Sequence, residues 1–89
     1  MKVVILYRPN SEGSRMVEEF AQEFSRRYED RRLELVSIDT RDGSATATLY
    51  DVMKCPAVLA LADDGQVLHQ WQGETMPLMN EISYYTTTA

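Results

Sequence analysis

Two apolar runs do most to limit the fold. KVVILY (2–7) and AVLAL (57–61) are apolar on both alternating faces, and a strand tolerates that only when packing covers it on both sides. Each reads as a central strand with a layer above and below. From Ser11 the spacing changes: Val17, Phe20, Ala21, Phe24 and Tyr28 recur at three and four, while Glu18, Glu19, Gln22, Glu23 and Arg26 fill the other face. That is an amphipathic helix of about four turns over 14–28. RLELVSID (32–39) alternates and then becomes apolar around Val36 and Ile38, as a second strand does. Strand, helix and strand in that order imply a right-handed parallel crossover.

TRDG (40–43) reads as a loop, and SATATLYDVMK (44–54) as a short helix capped by Ser44 and stopped by Pro56. ADDGQ supplies an Asp-Gly turn between AVLAL and QVLHQWQ (66–72), which predicts an antiparallel hairpin. Strict alternation puts His69 on one side of that last strand with Val67 and Trp71. After Gly73, Thr75 can cap a final helix with Pro77 in its first turn, carrying Leu78, Met79 and Ile82 and ending in a flexible tail over 85–89. The expected class is α/β, in β-α-β-α-β-β-α order: a four-stranded mixed sheet with helices on both faces, a three-layer sandwich.

At 89 residues the chain suits one domain, since halves would be too small for stable cores. Cys55 is its single cysteine, so no disulfide forms within the chain, and the count fits a reducing, cytoplasmic setting. The opening apolar run is too short for a signal sequence or membrane span. Fourteen acidic against nine basic residues give a formal charge of −5, with a pI near 4.7. That balance argues against nucleic-acid and anionic-membrane partners, whose affinity rests on Lys and Arg. The local group Arg26, Arg27, Arg31 and Arg32 sits where a helix ends, as favoured by the macrodipole. No cofactor or metal is expected, because His69 has no second histidine or cysteine near it to share an ion.

Taken together, the element order, the pattern A-x-x-Y-x-V-x-x-x-P at Ala47, Tyr50, Val52 and Pro56, the DDG hairpin and the glycine after the last strand resemble the thioredoxin family. The likeness covers almost the whole chain. It implies a cis peptide before Pro56, facing a loop at the start of the first helix where that family carries C-x-x-C. With Tyr28 aligned on the family's end-of-helix tyrosine, Ser11-Glu12-Gly13-Ser14 falls on that motif and Ile5 on the family's buried aspartate. Dithiol exchange needs an attacking and a resolving thiol, and serine supplies neither. The resemblance therefore implies a fold without its dithiol.

The residues leave several roles open. Ser11 can cap the helix by accepting a backbone N–H; alternatively the helix start, with Gly13, Arg8 and Arg15, can hold a small anion, against the charge of Glu12. Cys55 is either a small buried residue under the loop or a thiol activated by the helix N-terminus and Lys54. Trp71, Tyr84, Tyr85, Met76 and Met79 suit either core packing or an apolar patch for a partner, and the chain is expected to be a monomer or weak homodimer. Three functions follow as expectations. The first is a protein- or peptide-binding module using Cys55 and Pro56, the second a single-thiol redox protein acting through Cys55, and the third a small-anion binder at the Ser11 turn.

Overall fold

The computed structural model describes residues 2–31, 33–73 and 79–86, apart from the Glu12 side chain. Strands β1 (Lys2–Tyr7), β2 (Leu33–Ser37), β3 (Ala57–Leu61) and β4 (Val67–Gln72) and helices α1 (Glu12–Arg27), α2 (Arg41–Leu49) and α3 (Met79–Tyr85) follow in the order β1-α1-β2-α2-β3-β4-α3. The sheet order is β2-β1-β3-β4, with β2 parallel to β1 and the other two pairs antiparallel. The two doubly apolar runs are the two inner strands, as their composition requires.

Alternation along those strands divides the core in two. Val3, Ile5, Val58 and Ala60 face one side with Val17, Phe24 and Ile82, against which Phe20, Tyr28, Trp71 and Tyr85 pack. Val4, Leu6, Ala57, Leu59 and Leu61 face the other side, where Ala47, Tyr50 and Val52 cover them. The Phe20–Phe24–Tyr28 stripe is thus the buried face of α1. Arg31 ties α1 to α3 by donating from Nη1 to the Ser83 carbonyl at 2.8 Å.

Four sequence expectations are corrected. Helix α1 starts earlier and ends sooner than 14–28, at Glu12 and Arg27. Helix α2 begins at Arg41, not at Ser44, because Thr40 takes the cap: its Oγ1 accepts the Gly43 N–H at 3.0 Å and donates to the Ser37 carbonyl at 2.8 Å. It ends at Leu49, where the Val52 N–H reaches back to Ala47 O at 2.8 Å and Asp51 takes a φ of 56°. In β4 a register shift opposite Ala60 and Leu61 pairs His69 with Ala60 but Val67 with Leu61. Val67 therefore leaves the face shared by His69 and Trp71. Nor does a tail begin at 85, since Tyr85 closes α3 and Thr86 is buried, its hydroxyl donating to Ser83 O at 2.9 Å. The expectations for Arg32, Thr75, Met76, Pro77, Leu78 and 87–89 lie outside the described residues.

Candidate functional site

Beyond Tyr7 the chain turns through Arg8, Pro9 and Asn10 into α1, with Asn10 in the left-handed region at φ 64°, which asparagine tolerates better than most residues. Ser11 occupies the N-cap position with extended backbone, yet its side chain caps nothing. The expected cap is absent because the hydroxyl turns back and donates to Arg8 O at 2.6 Å. Ser14 is buried, and both its Oγ, at 2.8 Å, and its N–H, at 3.2 Å, donate to Ser11 O. The two hydroxyls thus knit the entry to α1.

Opposite this turn lies the segment between α2 and β3. Gln72, at the end of β4, accepts on Oε1 from Met53 N–H at 3.0 Å and Lys54 N–H at 3.2 Å. Gly73 N–H donates to Pro56 O at 3.2 Å, and the Cys55–Pro56 peptide bond is cis. Cys55 sits between these anchors, and among the described residues no hydrogen bond reaches its N–H or C=O.

A groove of about 810 Å³ runs where the two segments meet. Its lining is mixed: Tyr7, Met16, Ile38, Ala47, Val52, Met53 and Pro56 supply apolar side chains, and Arg8, Ser11, Gly13 and Cys55 add polar and backbone surface of similar extent. The two segments come into contact range at Gly13, where a Cβ would stand 3.4 Å from Pro56 Cδ. Ser11, Gly13, Cys55 and Pro56 are therefore neighbours in space, although more than forty positions separate Ser11 from Cys55 in the chain.

The charges around the groove are largely matched. Arg8 Nε lies 3.6 Å from Asp39, and Arg15 Nε lies 3.5 Å from Glu19. Arg15 does not line the groove. Both ion pairs are solvent-exposed and therefore weak, and an anion at this turn would meet Asp39 and Glu19 beside the two cations. Cys55 is exposed, not buried under the loop. Partial desolvation pushes its pKa up, with Asp39 adding to the rise and Arg8 opposing it. Lys54 is not among the causes.

The chain matches no protein-family model and no curated protein sequence. Solved structures do match. One is mitochondrial thioredoxin 3 of Saccharomyces cerevisiae in its oxidized form, with a TM-score of 0.67 and 18% identity over 94% of this chain and 74% of that one. Another is a malarial protein, with a TM-score of 0.65 and 14% identity over 93% of this chain and 89% of that one. The fold is thioredoxin-like.

On this thioredoxin-like fold Ile5 is fully buried among apolar side chains of the α1–α3 face. His69 and Trp71 stack with ring centroids 4.1 Å apart, and Tyr85 meets the edge of Trp71 at 5.9 Å. That cluster belongs to the β4 edge and contributes nothing to the groove. Among the described residues no group of three or more His, Cys, Asp or Glu could hold a metal ion, and no helix is long and apolar enough to cross a membrane. Sequence reasoning missed Gln72, Met16 and Met53. The Gln72 contact spans eighteen or nineteen positions, and no local pattern announces it.

Proposed function

We propose that this chain is a non-enzymatic protein- or peptide-binding module, which holds an extended segment between the Ser11–Ser14 turn and Cys55–Pro56. One observation carries the reading: at a groove of mixed polar and apolar lining, Cys55 offers a backbone N–H and C=O without a partner among the described residues. An extended peptide can satisfy both groups as one more strand while its side chains enter the groove, and this needs no thiol. Met16 and Met53 suit such a role, because unbranched thioethers adapt to side chains of varied shape. The resemblance of Ser11–Ser14 to a C-x-x-C position supports the absence of dithiol chemistry, as does the presence of one cysteine in the chain.

A second reading, single-thiol redox chemistry at Cys55, is favoured by the exposure of that residue and opposed by its raised pKa. A test of the first reading selects peptides from a displayed library and follows amide shifts on titration. The shifts are expected at residues 8–16 and 52–56, and Gly13→Phe, which adds a side chain against Pro56, should weaken binding at least ~10-fold. Peptides that bind the folded Gly13→Phe variant as well as the parent chain would refute the reading.

A further inference from the structure

Strand β2 forms one edge of the sheet, and among the described residues no strand pairs with its outer rim. Such rims are templates for pairing with another chain, held in check by bulges, prolines, charged side chains, short length or a covering segment. The opposite edge is blunted, since β4 carries a register shift near Leu68. Strand β2 is in register with β1 over all five of its residues, from Leu33 to Ser37. At its centre Leu35 is 37% exposed and belongs to neither half of the core.

Which backbone groups face outward follows from one bond. Ile38 N–H donates to Tyr7 O at 3.0 Å, so by alternation Glu34 and Val36 turn their backbone groups toward β1, and Leu33, Leu35 and Ser37 turn theirs away. Ser37 O is already engaged by the Thr40 hydroxyl, which leaves Ser37 N–H and both groups of Leu33 and Leu35.

We propose that β2 pairs antiparallel with β2 of a second copy, about a two-fold axis at Leu35, so that one sheet runs through both molecules. In that register Leu35 exchanges both hydrogen bonds with its counterpart, and at each end Ser37 N–H donates to Leu33 O of the other copy. The side chains agree with it. Leu35 lies against Leu35, Leu33 against Ser37, and Glu34 against Val36, so identical carboxylates are never directly opposite. The two Glu34 side chains are diagonal neighbours, and each has Lys2 at 3.6 Å. Backbone hydrogen bonding and side-chain pairing thus select the same register. A five-residue strand makes a small interface, so association should be weak and concentration-dependent.

Sedimentation of the full chain, kept reduced so that Cys55 forms no bridge, should show the apparent mass approaching twofold as concentration rises from ~10 μM to ~1 mM. The Leu35 amide should become protected from exchange over the same range. Leu35→Lys and Leu35→Glu each set two like charges face to face at the axis, and each is expected to stay monomeric with an unchanged circular dichroism spectrum. Mixing the two should restore association, because opposite charges then meet at the axis. Val67→Lys, on the other edge, should leave association intact. A parent chain that stays monomeric at ~1 mM, a mixture that fails to associate, or dissociation by Val67→Lys would each overturn the proposal.

Discussion

Replacing Gly43 by alanine tests how the site is built, because Gly43 lies where β2 hands over to α2. In most helices this change is favourable by about 0.5–1 kcal/mol. Here a Cβ would collide with the Ser37 carbonyl oxygen and stand 2.7 Å from Ser37 C and 2.9 Å from Thr40 Oγ1. The first two atoms are backbone and cannot swing aside. Overpacking of this kind costs about 1–3 kcal/mol, and displacing Thr40 from its cap costs about 1 kcal/mol more. The net loss should be about 2 kcal/mol, from a total of about 4–13 kcal/mol for a chain of this length. The melting temperature should fall by on the order of 10 °C. Thermal and urea unfolding followed by circular dichroism measure both quantities. Gly13→Ala is the matched control, because its Cβ would meet only Pro56 Cδ at 3.4 Å, and that variant should be as stable as the parent or slightly more so. A Gly43→Ala protein no less stable than Gly13→Ala would show that α2 does not dock on β2 through this contact. Ile38 and Ala47, on either side of the junction, both line the groove, so a destabilised junction should also weaken peptide binding.

The Cys55 thiol should alkylate slowly at neutral pH, with the rate still rising above the pH at which a free thiol has levelled off, since its pKa is raised. Arg8 lowers that pKa and Asp39 raises it, so Arg8→Ala should slow labelling at fixed pH and Asp39→Asn should speed it; rates unmoved by either would place both charges outside the thiol's field. Gln72→Ala removes the acceptor from Met53 and Lys54 N–H and should cost under about 1 kcal/mol in stability, because water replaces it at an exposed site, while weakening peptide binding several-fold. Equal affinity in that variant would mean the 53–56 segment needs no tether. Installing Ser11→Cys together with Ser14→Cys should give a pair that oxidises to a disulfide and supports dithiol exchange with a disulfide substrate, measurable by thiol titration and insulin reduction. Failure to form that bridge would count against the alignment of this turn with C-x-x-C.

The inner strands were legible because nothing in them is ambiguous: KVVILY and AVLAL become β1 and β3 with the expected ends. The phase of β4 was not, since a strand's alternation predicts faces only until an extra residue intrudes, and the shift near Leu68 sends Val67 to the opposite side from Trp71. The start of α2 was hidden for a related reason. TRDG has the composition of a turn, and Gly43 weakens the helix signal, whereas its actual role is to admit the Ser37 carbonyl. At the site, the sequence placed Ser11, Gly13, Cys55 and Pro56 together through a resemblance that needed only order and spacing. It could not give the state of each group. The direction of the Ser11 hydroxyl, the pairing of Arg8 with Asp39 and the exposure of Cys55 depend on contacts between segments far apart in the chain.

Those contacts bear directly on which chemistry the groove can support. Catalytic sites concentrate groups whose protonation is shifted toward a task, with unpaired charges or activated nucleophiles. Here the one thiol is shifted away from the thiolate, and the two arginines considered for an anion each face a carboxylate. The serine hydroxyls at the helix entry donate to carbonyls of their own turn. On the proposed reading a peptide is held by the apolar part of the groove and the backbone of Cys55, and both act on its shape and hydrogen bonding without regard to its charge. Peptide affinity should accordingly change little with ionic strength. A titration repeated at ~0.05 M and ~0.5 M salt decides the matter, and a steep loss of affinity at the higher salt would mean that Arg8 or Lys54, not the backbone of Cys55, holds the ligand.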